Sequence, residues 1–328
     1  MLLVNLFFIL VGFVALFFGA DWLVSGASRL AASFGISALV IGLTLVAFGT
    51  STPELIVSLL AALRGSSDIA LGNVVGSNIA NIGLILGLTA LVYPIIVRSR
   101  VLRRELPIMI GLSLLTYFFA LNGAIDRLDG LVLFVLLIAF NSYIYWEARQ
   151  AEESGDEAAV AEFEEYQELE HLTESPDDAV TNRPRELART LVGIAVLMVG
   201  AQLLVENAST LARSVGISEL VIGITLVAFG TSLPELATSL VAASRDEDDI
   251  SVGNIIGSNI YNLLAVLGLT ALAQPITVPA SALRIEIPIM LLFAIMLWPL
   301  ARNEILSRWQ GGLLFLGYLL FAAWLFVG

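Results

Sequence analysis

Two stretches decide how this chain is built: LVAFGTSTPEL, Leu45–Leu55, and LVAFGTSLPEL, Leu226–Leu236. Each is flanked by apolar residues, contains a glycine and a proline, and carries one carboxylate, Glu54 in the first and Glu235 in the second. The two glutamates lie 235 − 54 = 181 positions apart. The same offset carries Gly35 to Gly216, Gly72-Asn73 to Gly253-Asn254, Ser77 to Ser258, Glu105 to Glu286 and Arg127 to Arg308 without an insertion. A repeat this long is a duplicated multi-element unit rather than a short-period solenoid.

The surroundings are those of a membrane protein. Of 328 residues, 58% are hydrophobic and 14% charged, whereas a soluble domain runs near half apolar and about a quarter charged. Apolar runs of about 20 residues, enough to span a bilayer as a helix, recur along the chain. They are continuous rather than alternating, which argues against a barrel. The expected fold is an all-α polytopic membrane protein with ten transmembrane helices. They fall at 4–31, 36–63, 69–93, 104–121 and 128–148, then 187–213, 217–244, 249–274, 283–301 and 309–327. Five spans per copy is an odd number, so the second copy enters the bilayer from the opposite face. The chain thus divides into inverted five-helix repeats at 1–149 and 187–328, with broken second and seventh helices.

Between the repeats, residues 150–186 form an acidic loop that includes EEYQELEHLTESPDD. It is too short for an independent domain of at least ~50 residues, and reads as a charged tether with room for an amphipathic helix at AAVAEFEEYQEL. Much of the net charge of −13 resides there, so that value describes one solvated segment and not an acidic surface field. The single histidine, His171, lies in the same stretch, and there is no cysteine, so no disulfide framework or thiolate metal site is available. The opening MLLVNLFFILVGFVALFFGADW lacks a basic leader and a small-residue cleavage site and reads as the first span. All sixteen basic residues are arginine. With both termini outside, twelve of them fall on cytoplasmic turns, Arg98, Arg100, Arg103 and Arg104 among them, and four on outer turns. That bias places the acidic loop in the cytoplasm of a cell-membrane protein.

Inverted repeats with Gly/Pro-interrupted spans in matching positions point to a secondary transporter with a midplane site. Pro53 cannot bond the carbonyl of Gly49, nor Pro234 that of Gly230. The carbonyls of Ala47 and Ala228 are candidate cation ligands where the helix loosens. Around each break stand Thr50, Ser51 and Glu54, or Thr231, Ser232 and Glu235. The following helix adds Ser77 and Asn81, or Ser258 and Asn262, at an i, i+4 spacing that puts both on one face. Carboxylate, hydroxyl, amide and carbonyl oxygen without sulfur or imidazole suits Na⁺, Ca²⁺ or Mg²⁺ rather than zinc, copper or iron. Glycine pairs such as Gly72–Gly76 and Gly253–Gly257 also serve close helix packing. Packing does not account for a carboxylate that costs about 2.5–3.5 kcal/mol at the bilayer centre.

LVAFGTSTPEL with GNVVGSNIANI, and LVAFGTSLPEL with GNIIGSNIYNL, closely resemble the two alpha-repeats of the sodium/calcium exchanger family. The resemblance covers all ten expected helices. It implies electrogenic exchange of several Na⁺ for one Ca²⁺ by alternating access, with ions held among the second, third, seventh and eighth helices. The ligand positions it implies are Ala47, Thr50, Ser51, Glu54, Ser77 and Asn81, with Ala228, Thr231, Ser232, Glu235, Ser258 and Asn262. Asn262 stands where many relatives carry aspartate and others asparagine, so two carboxylates serve the site.

A Ca²⁺/H⁺ antiporter and a K⁺-dependent Na⁺/Ca²⁺ exchanger share this fold and stand as alternatives. An intramembrane hydrolase using paired carboxylates and a non-transporting Ca²⁺ sensor are the readings from other classes. No enzymatic activity, cofactor or nucleic-acid partner is expected; the partners are the transported ions and the lipid bilayer. Other polar residues read as structural. Asp21 and its repeat-mate Gln202 are taken as interfacial, Glu105 and Glu286 as helix-start anchors, and the cluster at Asp246–Asp249 as a solvated turn.

Overall fold

The computed structural model describes residues 2–34, 36–154, 182–214 and 228–327. His171, the AAVAEFEEYQEL stretch and the first half of the expected 217–244 helix lie outside the described residues. Helix α1 runs Leu2–Phe34. Helices α2 (Ala38–Thr50) and α3 (Thr52–Leu63) form a pair bent by 43°, and α4 runs Ser67–Val92. Strand β1 (Ile95–Ile96), α5 (Ser99–Arg103), α6 (Glu105–Ala120), β2 (Ala124–Ile125) and α7 (Arg127–Ser154) follow. The later part contains α8 (Arg183–Ser214), α9 (Ala228–Thr231), α10 (Leu233–Ala243) and α11 (Asp248–Ala273). It ends with β3 (Ile276–Thr277), α12 (Ala282–Ala301), β4 (Ile305–Leu306) and α13 (Arg308–Val327).

Six of these helices are long and apolar enough to cross a membrane, seven with the bent pair, among the described residues. Helix α6 has 16 residues, about 24 Å at 1.5 Å per residue. The two-residue strands depart from an all-α expectation, and their origin is local. Tyr93 and Gln274 each precede a proline and are extended, with φ −122°, ψ 113° and φ −144°, ψ 121°. Proline's ring disfavours the helical region for the residue before it, so α4 and α11 stop there. The chain leaving α4 pairs antiparallel with the chain entering α13, Ile95 opposite Leu306; the chain leaving α11 pairs with the chain entering α7, Ile276 opposite Ile125.

These two pairings are exchanged by the 181-residue offset, and other contacts obey the same rule. A Cβ built at Gly12 would lie 2.9 Å from the Gly200 carbonyl oxygen, and one at Gly193 would lie 2.8 Å from that of Gly19. Glycine is required at these crossings because α1 and α8 touch backbone to backbone. Lipid supplies no hydrophobic drive for helix association, so close approach through small residues supplies the contact energy. Helices α4 and α11 form the centre, with 83% and 89% of their apolar windows buried, against 17% for α1.

Polar residues read as surface features turn out to dock elements together. Arg98 pairs with Asp249 at 2.6 Å, the Ile96 N–H donates to Asp248 Oδ2 at 2.8 Å, and the Ser28 hydroxyl donates to Glu247 at 2.7 Å. The Asp246–Asp249 cluster is therefore a docked turn, not a solvated one. Asp21 pairs with Arg245 on that same turn. Glu105 opens α6, as expected of a helix-start residue, and it is fully buried there and accepts from Arg100 at 3.3 Å, which makes it an internal ion-pair partner as well.

Candidate functional site

The two breaks bring the repeated motif into the centre. Helix α2 widens to a π-helical turn over Gly42–Val46 and regains α pitch over Ala47–Thr50. Ser51 then leaves the helical region, with φ −81° and ψ 2°, and Ser232 does the same with φ −89° and ψ 4°. The break thus falls at the serine. Pro53 and Pro234 sit in the first turn of α3 and α10, where a missing N–H breaks no helical bond. The expectation that Pro53 frees the Gly49 carbonyl is not met, because the backbone N–H groups at the end of α2 reach both Ala47 and Gly49. The Ala47 carbonyl accepts the Ser51 N–H at 3.0 Å and also lies 3.4 Å from the Thr50 hydroxyl. Ala228 opens α9, and its side chain lies outside the described residues.

Because a helix starts just after each break, Glu54 and Glu235 occupy first turns. The positive end of a helix favours a carboxylate there, which offsets part of the cost of burial. That burial is nearly complete: both glutamates are 1% exposed. Thr50, Ser51, Ser77, Asn81, Ser232, Ser258 and Asn262 are buried as well, and Thr231 is half-buried. Contacts cross between the halves. The Thr231 hydroxyl reaches Glu54, and Thr50 faces Glu235. Thr50 Oγ1 donates to Asn254 Oδ1 at 3.0 Å and lies 3.4 Å from Ser258 Oγ. Glu54 and Glu235 are close enough to feel each other's charge.

The chemistry of the site lies in what these oxygens lack. Ser51 Oγ, Glu54 Oε2, Asn81 Oδ1, both carboxylate oxygens of Glu235 and Asn262 Oδ1 are buried with no hydrogen-bond partner. Five of these six atoms are pure acceptors. A buried polar group without a partner costs about 1–3 kcal/mol, and more when charged, a cost that a positive ligand at these oxygens would relieve. A cation with oxygen coordination answers that need. Among the described residues no group of three or more His, Cys, Asp or Glu could hold a metal. Among the residues expected as ligands, Glu54 and Glu235 are the two carboxylates and the others are neutral.

Sequence reasoning missed the residues behind these ligands. Asn73 Nδ2 donates to the Glu54 carbonyl at 3.1 Å and to Ser58 Oγ at 2.9 Å; Asn254 Nδ2 donates to the Glu235 carbonyl at 3.3 Å and to Ser239 Oγ at 3.1 Å. They tie each carboxylate-bearing turn to the next helix. Asn78 and Asn259 contact Asn262 and Asn81, the two asparagines expected as ligands, from the opposite half. The signal was present in the repeat: the offset carries Ser58 to Ser239, Asn73 to Asn254 and Asn78 to Asn259, all polar within apolar runs.

The model of the family described as "Sodium/calcium exchanger protein" matches residues 4–146 and 186–327. The chain is 40% identical over 324 residues to the inner membrane protein YrbG of Escherichia coli (strain K12), covering 97% of this chain and 95% of that one. It is 36% identical over 351 residues to the sodium/calcium exchanger MaX1 of Methanosarcina acetivorans, covering 99% of each. A solved structure of the sodium-calcium exchanger NCX_Mj, soaked with 10 mM Na⁺ and zero Ca²⁺, superposes with a TM-score of 0.83. That match has 32% identity and covers 98% of this chain and 99% of the other.

Proposed function

The chain belongs to the sodium/calcium exchanger family, and from that premise we propose that it exchanges three Na⁺ for one Ca²⁺ by alternating access. Ten spans, arranged as inverted repeats at 1–149 and 187–328, carry the ions past a midplane site, with the 150–186 loop and most arginines on the cytoplasmic side. The ligands are Glu54 and Glu235 with the hydroxyls of Thr50, Ser51, Ser77, Thr231, Ser232 and Ser258. The amide oxygens of Asn81 and Asn262 and the carbonyls of Ala47 and Ala228 complete the set. The observation that supports this reading is that the repeated motifs of both halves carry buried oxygen atoms without a hydrogen-bond partner, on Ser51, Glu54 and Asn81 in one and on Glu235 and Asn262 in the other. Two carboxylates neutralise one Ca²⁺ and leave three Na⁺ with one surplus charge, so the exchange moves charge across the membrane.

The test is ⁴⁵Ca²⁺ flux in proteoliposomes under separate Na⁺, K⁺ and H⁺ gradients, repeated with a valinomycin-set potential once K⁺ is shown to be inert. Each elementary charge crossing 100 mV is worth about 2.3 kcal/mol, so the zero-flux point shifts with voltage. Flux that follows H⁺ but not Na⁺ refutes the coupling ion. Sodium-driven flux with a voltage-independent zero point refutes the three-to-one ratio.

A further inference from the structure

The two ligand asparagines each have a nitrogen and an oxygen end, and only one end suits a cation. In Asn81 and Asn262 the nitrogen end is already engaged. Asn81 Nδ2 donates to Asn259 Oδ1 at 2.9 Å, and Asn262 Nδ2 donates to Asn78 Oδ1 at 3.1 Å. Each partner comes from the other half of the chain. Asn78 and Asn259 are themselves oriented, because their own amide nitrogens face atoms that only accept: Asn78 Nδ2 lies 3.6 Å from Met290 Sδ, and Asn259 Nδ2 lies 3.5 Å from Met109 Sδ and 3.4 Å from the Asn78 carbonyl oxygen. A thioether sulfur accepts and never donates. It therefore draws the NH₂ of the outer asparagine, turns that residue's oxygen inward, captures the NH₂ of the ligand asparagine and leaves the ligand oxygen pointing away. Asn81 Oδ1 and Asn262 Oδ1 are the two amide oxygens that end buried and unpartnered.

The whole series occurs twice, at positions related by the offset: 109 and 290, 78 and 259, 81 and 262. All six side chains are buried, at most 2% exposed. Resting on the exchanger reading above, we infer that Asn78 and Asn259 are positioning residues. Backed by Met290 and Met109, they fix the amide polarity of Asn262 and Asn81 so that oxygen, not NH₂, faces the transported ion. An amide without such a partner would have to be turned oxygen-inward when the cation arrives, and that reorientation weakens binding.

Position 262 offers a control. A carboxylate there has oxygen at both ends and needs no orienting partner. Ca²⁺ binding to the purified full-length protein and Na⁺-driven ⁴⁵Ca²⁺ flux are measured for wild type, Asn78→Leu, Asn262→Asp and the double variant. The expected result is a loss of Ca²⁺ affinity of about five- to tenfold for Asn78→Leu alone, the scale of one hydrogen bond. Added to Asn262→Asp, the same substitution changes affinity less than about twofold. Met290→Leu, which keeps volume and apolarity while removing the acceptor, shifts affinity in the same direction by about two- to threefold, and serves if Asn78→Leu fails to fold. Equal losses with and without Asn262→Asp mean that Asn78 only supports packing and overturn the inference, as does an unchanged affinity in Asn78→Leu or, where that variant does not fold, in Met290→Leu. A wild-type protein without Na⁺-driven Ca²⁺ flux overturns the exchanger reading first, and the positioning role with it.

Discussion

Replacing Glu235 by glutamine tests the site at the atom where it is least compensated. A threonine hydroxyl from the other half faces each glutamate, but both carboxylate oxygens of Glu235 lack a hydrogen-bond partner, whereas only one oxygen of Glu54 is in that state. At about 4 Å and an effective dielectric of about 20, one pair of unit charges is worth about 4 kcal/mol, so a divalent ion forfeits about 8 kcal/mol of gross attraction when one carboxylate goes. Suppose relief of burial and the amide dipole return two thirds of that. The remaining ~2.7 kcal/mol is still about a hundredfold in Ca²⁺ affinity. A sodium ion forfeits half as much, so selectivity moves toward the monovalent ion. The expected outcome is loss of Na⁺-driven ⁴⁵Ca²⁺ flux in proteoliposomes made from folded protein. In detergent, Ca²⁺ at a hundred times the wild-type Kd stabilises wild type by about 2.7 kcal/mol, and Glu235→Gln by far less. Near-normal flux in both Glu235→Gln and Glu54→Gln would refute the assignment of the two carboxylates.

Asn262→Asp adds a third carboxylate beside two others, and clustered carboxylates raise one another's pKa. Divalent binding should strengthen at neutral pH and fall as pH drops from about 8 to 5, because protonation removes the added charge; an unchanged pH profile and affinity place residue 262 outside the site. Replacing Ala151–Asp178 with a short Gly/Ser linker should leave exchange intact, since a segment so polar buries little apolar surface; loss of flux in a correctly inserted variant refutes the tether reading. The contact between Asp21 and Arg245 maps by the offset onto Gln202 and Arg64, and that between Ser28 and Glu247 onto Ser209 and Ser66, which cannot form the same ionic contacts. The Ser209 hydroxyl is buried without a partner. We expect that difference to make these contacts a latch on one face that the other face does not share. Asp21→Asn should lower half-saturating Ca²⁺ on the latched face by about two- to threefold, the scale of one partly exposed ion pair; equal values on both faces before and after substitution exclude a latch.

Much of this protein is written in its sequence because lipid is an unforgiving solvent. A spanning segment must be continuously apolar, so helix positions are legible to within a few residues, as the expected 69–93 and the observed Ser67–Val92 illustrate. For the same reason a carboxylate within such a run stands out, and the 181-residue offset makes Glu54 and Glu235 a pair before any coordinates are known. What the sequence left open depends on contacts between residues far apart in the chain. The interruption expected from Gly49 and Pro53 falls between them, at Ser51, a position the sequence did not single out for the break because proline starts the next helix as readily as it ends the previous one. Asp249 reads as solvated until Arg98 is found 2.6 Å away. Asn78 is one more amide in a small-residue motif until its oxygen meets Asn262, 184 positions later. Composition and periodicity report how one residue relates to its own helix and to the lipid. Which end of an amide faces an ion is settled by the donors and acceptors that packing brings from the other half, and only the folded arrangement contains them.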